Sequence, residues 1–387
     1  MKYNLADICN FIRETVAISE VNTKNYISTE NLMPNKAGIT VAASIPKVRH
    51  TKAFNVGDVL VSNIRPYFRK IWYAKFSGGC SNDVLVFRSK NQVDPRFLYY
   101  VLADDKFFDY ATATSKGTKM PRGDRNAIME YGVPNISYDS QRKIADILSA
   151  LDDKIELNQR INKNLEEQAQ VIFDMEFVEK NKSDNKNQKG WRNACLSDIA
   201  QTIVCGKTPS TKKPDYYGED MPFITIPDMY NSVYITKTTR RLSMLGINSQ
   251  KNKILPSNSV CVSCIGTAGL VSLVAEPSQT NQQINTIIPL EDISSYFIFF
   301  LLKSLSNKIQ NLGASGSTIP NLNKSQFSEI EIMIPPKTLL EEFDSIVAPF
   351  FNAILEHQYQ IEYLSILRDT LLPRLMSGEI DVSNIVL

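Results

Sequence analysis

A single shift of about 200 residues lays the second half of this sequence on the first. Leu5-Ala6-Asp7-Ile8 answers Leu196-Ser197-Asp198-Ile199, and Val59-Leu60-Val61-Ser62 answers Val260-Cys261-Val262-Ser263. Gly117-Thr118-Lys119-Met120-Pro121 answers Gly316-Ser317-Thr318-Ile319-Pro320. The agreement is strongest in two apolar stripes. Ile144, Leu148, Leu151, Ile155, Asn158, Asn162, Leu165, Ala169 and Ile172 alternate steps of four and three, which holds one face of a helix toward a partner. Adding 199 to each gives Phe343, Val347, Phe350, Ile354, His357, Ile361, Leu364, Arg368 and Leu371. Both stripes turn polar at the same place, Asn158 and His357, a device that fixes the register of a helix seam at some cost in stability.

The repeat predicts an α+β chain with two similar, strand-rich domains carrying short helices, separated by two long antiparallel coiled-coil helices. The expected boundaries are a first domain at 1–138, a central helix at 139–177, a polar connector at 178–189, a second domain at 190–337 and a C-terminal helix at 338–380. Thr338 with Glu341 has the pattern of a capping box, Gly378 that of a C-cap, and Pro349 is expected to kink the second helix. If the helices belonged to two independent cores they would average about three turns; these stripes run much longer. Such a rod is roughly 44 Å long.

Composition limits what the domains do. Lys and Arg number 43 against 41 Asp and Glu, so any nucleic-acid contact must come from local patches and not from the field of the whole molecule. The N-terminus lacks the apolar core of a secretory signal, and the longest apolar run, Tyr296 to Leu302, reads as a buried helix segment and not as a membrane span. A cytoplasmic protein is expected. Six cysteines give no disulfide framework. Cys261 and Cys264 form the only C-x-x-C pair, in an alternating strand-like run without the further ligands a zinc site needs, so packing is expected and no metal.

Catalytic signatures are missing. Gly206-Lys207-Thr208 ends like a P-loop, but Gln201 stands where the first glycine belongs. No G-x-G-x-x-G occurs, nor an Asn-Pro-Pro-aromatic or Asp-Pro-Pro-aromatic tetrapeptide of the kind amino-methyltransferases carry. The histidines are His50 and His357. His357 lies on the helical seam, where packing or a pH-sensitive contact is expected; His50, among Lys47, Arg49 and Lys52, suits either phosphate contact or an ordinary exposed loop.

Several stretches resemble the DNA-specificity subunits of type I restriction-modification systems, and together they span nearly the whole chain. They are Gly206-Lys207-Thr208-Pro209-Ser210 followed by Tyr216-Tyr217-Gly218 and Pro222-Phe223-Ile224-Thr225-Ile226; Asn25-Tyr26-Ile27-Ser28-Thr29-Glu30 with Leu32-Met33-Pro34; Gly57-Asp58-Val59-Leu60-Val61-Ser62-Asn63-Ile64-Arg65-Pro66-Tyr67; and Leu371-Leu372-Pro373-Arg374-Leu375 with Ser377-Gly378-Glu379-Ile380. The resemblance implies a non-catalytic, pseudo-twofold symmetric subunit whose two target-recognition domains each read half of a bipartite DNA site. The helices would set the spacer, a rod of this length separating two DNA-reading modules by roughly 13 base pairs, and dock two methyltransferase subunits, with restriction-translocase subunits joining them. It implies no cofactor on this chain, S-adenosylmethionine in the partner methyltransferase, and ATP and magnesium in the partner restriction subunit. A protein-binding scaffold, or an enzyme with methylation or nuclease activity of its own, are the competing readings; the first leaves the basic, amide-bearing loops unexplained, the second lacks motifs.

Reading DNA needs cations to position the backbone and Arg, Lys, Asn or Gln to meet base edges. In the first domain Arg65, Tyr67, Arg69 and Lys70 lie in one short run, and Lys116 and Lys119 lead on to Arg122 and Arg125. In the second, Lys207, Thr208, Ser210, Lys212 and Lys213 make the best phosphate-clamping loop, and Asn281 and Gln282 offer amides suited to adenine. Each run could equally be a solvated loop, and the amides could simply pin a turn.

Overall fold

Strands of two to eight residues cannot bury a core alone, so each must pair with strands from elsewhere in the chain. The chain does this twice, in two compact units: Met1–Lys154 with Leu364–Leu387, and Ile155–Tyr363. The computed structural model describes residues 3–179, 190–314, 321–383 and 385. Most of the expected connector (180–189) and the Gly316-Ser317-Thr318-Ile319-Pro320 copy of the repeat lie outside these residues.

In unit 1 an antiparallel sheet runs in the order Cys9–Phe11, Val84–Ser89, Val59–Ser62, Ile71–Tyr73. Its register pairs Val59 with Phe87 and Val61 with Leu85, so these four share a face, and Leu60 opposite Val86 takes the other. The first face packs on the helices Pro95–Ala103 and Asp105–Ala113. The second packs with Phe54 and Cys80 from a further sheet, ordered Thr15–Ala17, His50–Phe54, Gly78–Cys80, Tyr26–Ile27, whose last pair is parallel.

Unit 2 repeats the plan. Ala200–Cys205, Ile284–Pro289, Val260–Ser263, Val271–Val274 and Tyr234–Ile235 form one sheet, with Arg240–Leu242, Tyr217–Ile224 and Gln279–Thr280 beside them in a second. The Tyr296–Leu302 run lies inside the helix Ser295–Ser304, where Phe297, Ile298, Phe299, Phe300 and Leu302 are buried. Cys261 and Cys264 are both buried but fall in different core clusters, because alternate residues of a strand face opposite sides.

Two long α-helices follow the domains, Tyr138–Phe173 and Lys337–Met376, the first ending in a π-helical turn, Asp174–Glu179. The second begins at Lys337, one residue before the expected cap. Pro336 presets the backbone and its carbonyl takes the Leu339 and Leu340 N–H groups, which leaves Thr338 inside the first turn. Helical structure continues without a break through Pro349, and Gly378, at φ +75°, turns the chain after the last turn.

The apolar stripes do two jobs. Ile144 and Leu148 are buried in the main core of unit 1, which also takes Leu372, Leu375 and Met376 from the end of the second long helix. Phe343, Val347 and Ile354 are buried in the main core of unit 2 together with Phe173 and Phe177, while Phe350 is half-buried against it. Leu151 is half-buried and Ile155 buried. In unit 2 Asn158 Nδ2 donates to Gln360 Oε1 (3.0 Å) and His357 Nδ1 to Asn162 Oδ1 (2.8 Å), so the polar positions of the two stripes meet on antiparallel helices.

Candidate nucleic-acid interface

In unit 1 the two basic runs lie side by side. Arg65 N–H donates to the Pro121 carbonyl (2.8 Å), and Lys116 and Arg122 exchange backbone hydrogen bonds at 2.8 and 2.9 Å. Arg65 caps a 3-10 turn, Pro66–Phe68, whose Tyr67 and Phe68 rings are exposed with centroids 4.7 Å apart. Several cations here already have partners. Arg69 bridges Asp105 and Asp109 at 2.8 and 3.5 Å, Arg122 pairs with Asp83 (3.2 Å), Lys116 with Asp124 (2.5 Å), and Arg125 reaches the Asn82 carbonyl (3.5 Å). The Lys116 bond, helped by the Asn126 and Ala127 N–H groups at a helix start, holds the Asp124 carboxyl below its ordinary range.

Lys70 donates to the Thr29 carbonyl (2.6 Å), and burial lowers its ammonium pKa. Burial lowers that of Lys52 as well, whose Nζ is spent on the Val84 carbonyl (2.5 Å). Lys119 is exposed and makes no ion pair among the described residues; His50 is exposed at the start of its strand.

In unit 2 the structure joins two segments that lie some 75 residues apart in sequence. The chain after Ala200–Cys205 crosses the turn before Ile284–Pro289 so closely that a Cβ on Gly206 would stand 2.1 Å from the Asn281 carbonyl oxygen; only glycine fits. Lys207 N–H then donates to the Thr280 carbonyl (2.9 Å), and Thr208 Oγ1 to Gln282 Oε1 (2.6 Å). Lys207, Ser210 and Lys212 are exposed, and neither lysine has an ion-pair partner among the described residues. Lys213 is exposed too, but its ammonium lies over the Tyr216 ring, 5.1 Å from the centroid. Asn281 is 8% exposed and Gln282 exposed.

One neighbour escaped sequence reasoning. Gln250 Nε2 donates to the Lys207 carbonyl (2.9 Å) and to Gln279 Oε1 (2.6 Å), which sets the 3-10 turn Lys251–Lys253 beside the loop and adds exposed Lys251 to its cations. The signal was present as Gln250-Lys251-Asn252-Lys253, but nothing in the sequence tied it to Lys207.

With cations that have no ion-pair partner among the described residues beside the exposed Gln282 amide, the site can grip phosphate and present a paired donor and acceptor to a base edge. Comparison with known proteins points the same way. Residues 1–167 and 188–362 match the family described as the type I restriction modification DNA specificity domain. The chain is 32% identical to the type I restriction enzyme HindI specificity subunit of Haemophilus influenzae, over 98% of this chain and 99% of that one. It is 27% identical to the MjaIX specificity subunit of Methanocaldococcus jannaschii, over 76% and 71%. The fold matches that of the type I restriction-modification S subunit from M. genitalium, with a TM-score of 0.62 at 16% identity over 97% and 96% of the two chains.

Proposed function

The chain belongs to the family of type I restriction-modification DNA specificity subunits, and from that premise we propose how its parts divide the work. It is a non-catalytic recognition subunit. Each unit reads one half of a bipartite duplex site. The two long helices set the spacer and carry two methyltransferase subunits, and these bind S-adenosylmethionine; restriction subunits bring ATP and magnesium. The complex works in the cytoplasm, in keeping with the finding that no helix among the described residues is long and apolar enough to cross a membrane.

The observation that carries this reading is the loop of unit 2, where Lys207 and Lys212 stand exposed, without an ion-pair partner among the described residues, next to the Thr208–Gln282 contact. A lysine that displaces counterions from phosphate leaves a mark in the salt dependence of binding. Lys207→Ala with Lys212→Ala therefore weakens binding of the reconstituted methyltransferase to its site and flattens the log-log salt slope by about two, one for each lost phosphate contact. An unchanged slope removes this loop from the interface.

A further inference from the structure

Three neighbouring amides in unit 2 have different hydrogen-bond states. Asn281 Nδ2 donates to Gln283 Oε1 (2.9 Å), and Asn281 Oδ1 takes the Gln283 N–H (3.0 Å), so these two pin the turn. Gln282 is exposed, and its Oε1 accepts the Thr208 hydroxyl at 2.6 Å. That bond fixes the orientation of the amide. One lone pair of Oε1 and both hydrogens of Nε2 remain without a partner among the described residues. An amide so held offers an acceptor beside a donor, which is the complement of the N6–H and N7 of adenine; guanine presents two acceptors there and does not match.

We propose that Gln282 is the specificity-determining residue of unit 2, reading an adenine in the major groove, and that Thr208 is the positioning residue that sets its amide. This rests on the DNA-reading function proposed above. The contact is no accident of two mobile loops, because the close approach at Gly206 and the Lys207-to-Thr280 backbone bond clamp both strands of the site together. At a shift of 200 Gln282 answers to Asn82, also an exposed amide, but the Asn82 side chain accepts no hydroxyl among the described residues, so nothing holds it as Thr208 holds Gln282. The held amide therefore belongs to unit 2.

The test uses this chain assembled with its methyltransferase subunits, after modification-sensitive sequencing has given the bipartite motif. Each adenine in the half read by unit 2, apart from the methylated one, is replaced in turn by 7-deazaadenine, which lacks N7. At one position this weakens wild-type binding about tenfold and weakens Gln282→Ala no further. At the same position Gln282→Ala relaxes the preference for adenine over guanine about ten- to hundredfold, Thr208→Val relaxes it in the same direction, and Thr208→Ser keeps it. Gln282→Glu, which retains size and the Thr208 contact, shifts the preference toward cytosine. The other half-site and the salt slope stay as in the wild type. Equal 7-deazaadenine losses in wild type and Gln282→Ala overturn the assignment, as does relaxation at another base pair. A wild-type complex with no preference in that half overturns the DNA-reading function of unit 2 itself.

Discussion

Arg65 and Arg69 adopt left-handed backbone, at φ +50° and +51°, in the turn that corresponds to Gly266 (+79°) and Gly269 (+90°) of unit 2. A side chain in that region costs about 1–2 kcal/mol, so unit 1 keeps two arginines where the other copy of the repeat uses glycine. The cost was invisible in sequence, because an arginine does not announce its φ as a glycine does. Arg65→Gly leaves the melting temperature within about 2 °C, since relief of strain offsets the entropy lost by glycine, while binding to the first half-site weakens. Gly269→Ala lowers it by at least about 2–4 °C, because the new Cβ meets Ser306 Oγ at 2.4 Å; thermal unfolding of both variants checks the contrast. Burial pushes the thiols of Cys9, Cys80, Cys261 and Cys264 up to about 12. The folded chain keeps them protonated and unreactive to iodoacetamide at pH 9, as mass spectrometry will show. The matching stability is complete below about pH 8.5, the ordinary thiol value, and is lost as pH rises toward 12. At the site itself the useful residue types could be read, but the link between Thr208 and Gln282 could not. It depends on the backbone contact at Gly206, which no local pattern encodes.

Among the elements, the two long helices were the most legible, because a four-three stripe leaves few alternatives to a helix with one buried face. Less legible was what each part of the stripe touches. Its opening residues, Ile144 and Leu148 or Phe343 and Val347, help to close a domain core as well as face a helix, and spacing alone does not distinguish these surroundings. Strand pairing was illegible for a related reason: partners such as Val59 and Phe87 are brought together by core formation, not by neighbouring sequence. The copies also differ where the long helices meet their domains. In unit 1 Tyr100 donates to Asp152 (2.7 Å), which also pairs with Arg368 (2.8 Å). The corresponding residues of unit 2 are Phe300, Phe351 and Ala169, all buried, with the two rings 5.7 Å apart. Burial works against the Arg368 charge, but the Asp152 and Asp369 carboxylates together more than offset it and raise the guanidinium pKa. Arg368→Ala leaves Asp152, whose side chain is 27% exposed, without its cation, and costs about 1–3 kcal/mol by urea unfolding. Transferring the whole apolar set, Tyr100→Phe with Asp152→Phe and Arg368→Ala, costs less than that single change, because an ion pair replaced by packed apolar groups leaves no buried charge behind. A larger loss in the triple variant means that the neighbouring side chains do not accept the second phenylalanine.

For the whole molecule, the units of packing do not coincide with the units of the repeat. A cut by sequence places the second domain at 190–337, yet its main core includes Phe173 and Phe177 from the first long helix and Val347 and Ile354 from the second. Phe177 stands 5.0 Å from Phe297 and 5.1 Å from Phe343, ring centre to ring centre, so a foreign domain joined at 190 and 336 must fit phenylalanines selected for another core. Mismatched core volumes leave cavities or overpacking that cost about 1–5 kcal/mol each. Exchange of the whole packed unit, 155–363, for that of a relative therefore preserves the melting temperature better than exchange of 190–336. In either chimera that folds, modification-sensitive sequencing of host DNA is expected to show one half of the methylated motif replaced and the other retained, since the residues proposed to read the first half-site, such as Arg65 and Lys119, lie outside both exchanges. Replacement of both halves would mean that the two units do not read independently, whatever the stability of the chimeras.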